Sequence, residues 1–250
     1  MVSIVTGNGL GVQTSSERLG TTGHVGEASF GQTGERIYVN AATGNLIIED
    51  QDQILIGRGL NGAVNRAYNS LGRIAGDNWQ PGGTRSVGGL TGTLNAAGST
   101  VTRTDWDGAT IVYQYDASRR CYVSTDGAAA HIADYEKSQS AMLDVSVTAR
   151  STLTFDSASN TWKWNDAQGS VTETYDAAKA GRLTAARDAD GNTVTYTYNA
   201  AGLLSQVTTD GGDLTNLDYD ASGRLTFPRF RCSRVFFCAT ARGGCGSELC

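Results

Sequence analysis

Two kinds of side chain in this sequence have the type and spacing to do chemistry: closely spaced carboxylates and alternating aromatics. Asp105 with Asp107, and Asp188 with Asp190, stand two residues apart. A glycoside-cleaving site needs two such groups facing one cleft at a set separation. Both pairs, however, run directly into a glycine, Gly108 and Gly191, and Asp-Gly is hairpin-turn chemistry. Asp188-Ala189-Asp190-Gly191-Asn192 resembles part of a calcium loop but lacks the full ligand order and the distant bidentate Glu. The turn reading is preferred for both. His24 and His131 are the only histidines, and no serine sits in a Gly-x-Ser-x-Gly elbow. Cys121 stands alone; Cys232, Cys238, Cys245 and Cys250 include no Cys-x-x-Cys pair and have no nearby His, which argues against zinc. The glycines of 7–11 neither follow a clear strand nor open a helix, which argues against a nucleotide loop. No catalytic residue, metal or cofactor is assigned. Aromatics at alternate strand positions are more often core than sugar-stacking platform. Trp162, Trp164, Tyr196 and Tyr198 remain as weak binding candidates beside Tyr113 and Tyr115.

The elements that would position these residues read as strands. The chain has 250 residues, 32 Gly and only 2 Pro, without the three-residue period of collagen. The net charge of −5 gives no electrostatic reason to expect nucleic acid. No apolar run reaches membrane-spanning length, and the first residues show no cleavable signal. Residues 1–35 read as a Gly/Ser/Thr-rich lead-in, and 36–100 as a β segment in which Gly44-Asn45 marks a hairpin. Over 101–226 the alternation tightens. Ile111, Tyr113 and Tyr115 share one face, as do Val194, Tyr196 and Tyr198, with threonines opposite in the second case. Asp107-Gly108, Asp190-Gly191, Asp126-Gly127 and Asp210-Gly211 are expected as two-residue turns needing positive φ. Residues 141–155 read as one or two strands, and only 128–140 invites a helix. Gly191→Val is expected to destabilise more than Gly98→Val, because the first would force a β-branched residue into a positive-φ turn position.

A repeat organises the later part. Tyr175-Asp176, Tyr198-Asn199 and Tyr219-Asp220 are followed by Gly181-Arg182-Leu183, Gly202-Leu203-Leu204 and Gly223-Arg224-Leu225. Units stacked at a constant period cannot bury their apolar faces alone. With Asp188, Gly191, Tyr196 and Leu204, these residues resemble the RHS, or YD-repeat, family. Worn copies lie at Asp105, Gly108, Tyr113, Tyr115-Asp116 and at Asp166, Gly169, Tyr175. The stretch Tyr38-Val39-Asn40, Thr43-Gly44-Asn45-Leu46, Arg58-Gly59-Leu60 and Tyr68-Asn69-Ser70 resembles the segment that precedes the repeats. From the residues themselves, Leu183, Leu204 and Leu225 are expected in the core, the Tyr-x-Tyr pairs on one face, and Arg182 and Arg224 against Asp176 and Asp220.

The resemblance implies an all-β fold of antiparallel β-hairpin repeats forming an open, curved or spiralling sheet, part of a hollow shell. It implies a non-enzymatic, secreted or cell-surface scaffold whose partner is the parent protein's C-terminal toxin domain. A carbohydrate- or surface-binding module acting on cell-surface glycans is the alternative. The self-cleavage residues of some members have no counterpart here. Residues 227–250 depart from the pattern: this tail holds four of the six Phe, four Arg and a single acidic residue, Glu248. It is read as disordered, or as the product of a truncated or frame-shifted reading frame, leaving a sheet that does not close.

Overall fold

The computed structural model describes residues 3–5, 10–11, 29–30, 35–40, 43–55, 59–72, 79–81, 85–125, 151–166 and 169–231. A 6-stranded sheet comes first: β1 (Ser3–Val5), β2 (Ser29–Phe30), β3 (Glu35–Asn40), β4 (Leu46–Leu55), β5 (Gly62–Asn69) and β6 (Trp79–Pro81). β1 lies parallel to β3, and the other pairings are antiparallel. Between β3 and β4 the expected Gly44-Asn45 hairpin is present. The Asn40 N–H donates to Asn45 O at 2.9 Å, and Gly44 takes a φ of 73°.

The remaining strands form one 12-stranded sheet. They are β7 (Ser86–Thr91), β8 (Thr100–Thr104), β9 (Thr110–Asp116), β10 (Cys121–Ser124), β11 (Thr152–Asp156), β12 (Thr161–Asn165), β13 (Val171–Asp176), β14 (Arg182–Asp188), β15 (Thr193–Tyr198), β16 (Leu204–Thr209), β17 (Leu214–Tyr219) and β18 (Leu225–Arg231). Each strand pairs antiparallel with the next in sequence, so the sheet is a single meander. β14 pairs in addition with β7, at Arg182↔Ser86. The meander therefore returns on itself: β7–β14 form an 8-strand barrel, and β15–β18 continue as a 4-strand sheet. All-β antiparallel architecture is as expected. The difference is that the strip, expected to stay open, meets its own edge after one turn. The right-handed twist of adjacent strands accumulates until the first and last edges come within pairing distance.

Alternation fills the ring. Val87, Val101, Ile111, Tyr113, Tyr122, Leu153, Trp162, Tyr175 and Leu183 form one buried cluster to which every ring strand contributes. Tyr122 meets Tyr115 and Trp162 at centroid distances of 5.1 and 5.4 Å. Such pairs contribute about 0.5–1.5 kcal/mol each beyond their burial. A ring of this size leaves room for side chains and little else. A second cluster, Val194, Leu204, Val207 and Leu217 with Leu55 and Val64, packs the extension against β4 and β5.

The repeat has a physical cause. Tyr198 donates its hydroxyl to Leu183 O at 2.8 Å, and Tyr219 donates to Leu204 O at 2.7 Å. The next residue after each leucine bonds back across the hairpin: Thr184 to Thr174 O, Ser205 to Thr197 O, and Thr226 to Asp218 O, at 3.0, 3.1 and 2.9 Å. A register shift recurs where the tyrosine enters, at Thr174/Tyr175, Thr197/Tyr198 and Leu217/Tyr219. Leu183 and Leu204 are fully buried. Leu225 is half-buried in the last strand.

The turns are not the expected two-residue type. Asp188 N–H donates to Asn192 O, and Gly191 N–H donates back to Asp188 O, both at 3.1 Å, leaving three residues between the closing pair. Asp105–Ala109, Asn199–Leu203 and Asp220–Arg224 close in the same way. In this turn only the glycine needs positive φ, and the first residue's side chain caps the loop. Asp188 Oδ1 accepts Asn192 N–H at 2.8 Å, and Asp220 Oδ1 accepts Arg224 N–H at 2.9 Å. In the Asp210-Gly211 turn the positive φ falls on Gly212. Gly98 also has positive φ, +82°, so backbone conformation does not distinguish it from Gly191 at +94°. Asp126-Gly127, the helix expected over 128–140 and the strand expected over 141–150 lie outside the described residues, as do His24, His131 and the tail cysteines. The change of composition at 227 falls inside an element, since β18 runs to Arg231, paired with Leu214 of β17.

Candidate functional site

Strand alternation places Arg85, Arg103, Glu173 and Trp164 on the same face as the ring's apolar residues, at one end of the interior. Arg103 reaches Glu173 Oε2 at 2.8 Å and Asp105 Oδ2 at 3.0 Å. Arg85 reaches Glu173 Oε1 at 2.8 Å and Asp105 Oδ1 at 2.6 Å. The four charges alternate in a closed circuit. Arg103 and Glu173 are only 4% and 3% exposed at their side chains, while Arg85 and Asp105 lie nearer the mouth. Arg103 Nε also donates to the Tyr175 hydroxyl at 2.8 Å, which in turn donates to Glu173. The Arg103 guanidinium lies 4.4 Å from the centroid of the Trp164 ring. Trp164 donates its indole N–H to the Tyr113 hydroxyl at 2.8 Å, and Tyr113 bonds Ser151 at 2.9 Å.

Burial alone would raise the Asp105 and Glu173 carboxyls, but the two guanidinia outweigh it and hold both below the usual carboxylate range. Burial pushes the Tyr175 hydroxyl well above its ordinary value, which keeps it a donor to Glu173. Both carboxylates are ionised and already accept bonds from arginine. A general acid needs the opposite, a carboxyl raised towards neutrality. The arrangement joins strands and offers no poised proton.

The circuit lies at the seam of the coil. Val87 N–H donates to Gly181 O at 2.8 Å, and Leu183 N–H donates to Arg85 O at 3.0 Å. Gly181 has a φ of +66°, and a Cβ there would lie 1.8 Å from Val87 O. Only glycine permits that approach. A second junction ties the first sheet to the ring. The Asn45 amide donates to Asn69 Oδ1 at 2.7 Å, and Asn69 donates to Asp107 O at 2.8 Å.

The residues singled out from sequence fall as follows. Asp105 and Asp107 do not share a cleft: Asp105 binds the two arginines, while Asp107 Oδ1 accepts the Ala109 N–H at 3.0 Å. Asp188 caps its turn. Trp162 is 6% exposed. Trp164 is covered by Arg103. Tyr196 packs against both apolar clusters. Tyr198 carries the Arg182 guanidinium 5.6 Å from its ring centroid. Arg224 pairs with Asp220 at 2.8 Å as expected, but Asp176 pairs with Lys179 at 3.3 Å instead of Arg182. Sequence reasoning missed Arg85, Arg103 and Glu173. The available signal was a charged residue two positions from an apolar one on an alternating strand: Arg103 after Val101, and Glu173 before Tyr175.

The RHS Repeat family model matches residues 179–214, which span β14, β15 and β16. This chain carries an RHS repeat. The RHS repeat is a structural repeat, typical of extracellular or cell-surface proteins. No curated protein matches the chain. Among the described residues, no helix is long and apolar enough to cross a membrane.

Proposed function

We propose that this chain is a non-enzymatic scaffold, the packed closing turn of an RHS-repeat wall. In this reading the filled ring blocks one end, and β15–β18 begin the next, wider turn around a partner domain such as a C-terminal toxin. The observation that carries it is the meander itself: the strip meets its own edge at Arg182↔Ser86 and then continues past it as β15–β18. The carboxylates of the circuit support the same reading, because Glu173 and Asp105 are occupied by arginine. The glycan-binding alternative draws less support, since Trp162 is buried and the Trp164 ring is covered. The test is a panel of glycosidase, esterase, phosphatase and protease substrates with the purified chain. No turnover is expected; turnover abolished by Glu173→Gln would overturn the proposal. A glycan array serves the alternative, which requires binding that Tyr196→Ala removes.

A further inference from the structure

A groove of about 650 Å³ opens where β15 shows Thr195 and Thr197 to solvent, opposite buried Val194. Its lining includes Lys179, Arg182, Asn199 and Gly202, and none of its lining residues is acidic. Arg182 is the unsatisfied group. Its guanidinium lies 5.6 Å from the Tyr198 ring centroid, and a Cβ at Gly202 would fall 2.4, 2.5 and 2.6 Å from its Nη2, Nη1 and Cζ. Three nearly equal distances mean that the flat face of the guanidinium rests on Gly202. Its in-plane N–H groups are spent on neither contact, and among the described residues no oxygen accepts from them. The other cation, Lys179, pairs with Asp176 at 3.3 Å. The Thr195 and Thr197 hydroxyls and the Asn199 amide N–H groups also lack partners among the described residues, while Asn199 Oδ1 accepts the Leu203 N–H at 2.9 Å.

We propose that this groove binds a small hydroxycarboxylate, its carboxylate in the fork of Arg182 and its hydroxyls on Thr195, Thr197 and Asn199. One unpaired cation calls for one negative charge. A guanidinium meets a planar carboxylate in two parallel hydrogen bonds, and holding Arg182 flat on Gly202 orients that fork before the ligand arrives. The remaining unpartnered groups are hydroxyls and an amide, which suit hydroxyls and leave no place for a second charge. The volume falls in the range of small-molecule pockets, about 300–1,000 Å³, in which a few polar groups fix the orientation. Binding here is independent of the scaffold role, because Thr195 and Thr197 lie on the face opposite the packed Val194.

The test is saturation-transfer difference NMR on the purified chain with sodium D-gluconate, titrated to a dissociation constant. Sorbitol offers the hydroxyls without the carboxylate, acetate the carboxylate without the hydroxyls, and inorganic phosphate a tetrahedral anion as competitor. Gluconate binds, and sorbitol and acetate each bind at least about tenfold more weakly. Phosphate at the same concentration leaves most of the gluconate signal in place. Arg182→Lys keeps the charge but loses the planar fork, and weakens gluconate about tenfold. Arg182 also stands at the seam. If Arg182→Lys lowers the melting temperature, Thr197→Val decides the matter, since Thr197 is exposed and valine is a good strand former. Loss of that hydroxyl weakens gluconate about threefold or more with an unchanged melting temperature. Absence of gluconate binding, equal binding of sorbitol or acetate, or full affinity in the deciding variant overturns the proposal. Displacement of gluconate by equimolar phosphate marks a bare anion site and also overturns it.

Discussion

Glu173→Gln isolates the charge circuit inside the ring. Glu173 is 3% exposed and accepts from Arg103 and Arg85, each at 2.8 Å, and from Tyr175. Glutamine keeps the shape and one acceptor oxygen, but turns an amide donor towards a guanidinium. Buried Arg103, and Arg85 nearer the mouth, are then left with Asp105 alone. Breaking a buried pair by removing one partner costs about 3–5 kcal/mol, because the stranded charge has lost its solvation. For a domain of this size each kcal/mol lowers the melting temperature by about 2–4 °C, so a fall of roughly 6–20 °C is expected. Urea unfolding followed by tryptophan fluorescence reads the free energy directly, since Trp162 and Trp164 lie in the ring. Lys163→Ala is the control. Its pair with Asp156 spans 3.9 Å with side chains 50% and 39% exposed, and such a pair is worth about 0–1 kcal/mol. If Glu173→Gln costs no more than Lys163→Ala, the circuit does not hold the ring and the reasoning fails.

Other outcomes follow from the same geometry. Asp105 and Glu173 are held low in the folded state. Their contribution is therefore present above the ordinary carboxylate range and is lost as pH falls through their lowered values. Stability should be flat from about pH 8 to 5 and decline below about pH 4, and Glu173→Gln should flatten that acid limb in a urea-midpoint series. Gly181→Ala places a methyl into the Val87 carbonyl in addition to its positive φ, and should cost about 2–4 kcal/mol. Gly223→Ala, whose nearest neighbour is Leu203 Cδ1 at 3.7 Å, should cost only the backbone preference of about 1–2 kcal/mol. Paired thermal melts test the contrast. Arg120 and Ala180 are non-glycine residues at φ 54° and 56°. Replacing either with glycine should raise the unfolding free energy by about 0.5–1 kcal/mol in chemical denaturation.

Period-2 alternation made the strands legible, because each ring strand buries one face against its neighbours and leaves the other in water. Ile111 and Tyr113 on β9, buried between half-buried Thr110 and Val112 and exposed Gln114, are a clear case. The spacing of Gly202 and Gly223 was legible for a related reason: the same three-residue turn, capped by Asn199 and Asp220, recurs at both, whereas Gly181 keeps the spacing but ends a longer loop that runs from Asp176 through the 3-10 turn Ala177–Lys179. The three-residue loop was not legible from Asp-Gly alone, since that dipeptide suits either turn. What distinguishes them is the capping Asp or Asn three positions before the glycine, at Asp188, Asn199 and Asp220. The seam was hidden because its contact, Ser86 with Arg182, depends on the accumulated twist of the intervening strands and on no local pattern. Arg103 and Glu173 were hidden by their charge. A charged residue on a strand is usually turned to water, and these two stay inside only because the closed ring brings them together.

Cross-linking Ser86→Cys with Arg182→Cys, in a chain whose native cysteines are replaced by serine, tests the closure of the coil most directly. The two positions are register partners across β7 and β14. Thr102→Cys with Val112→Cys, partners within the β8–β9 hairpin, is the reference. Closure predicts that both pairs oxidise to an intramolecular disulfide, resolved by mass spectrometry, and that the seam bond raises the melting temperature. A seam pair that stays reduced while the hairpin pair forms would contradict a meander that meets its own edge.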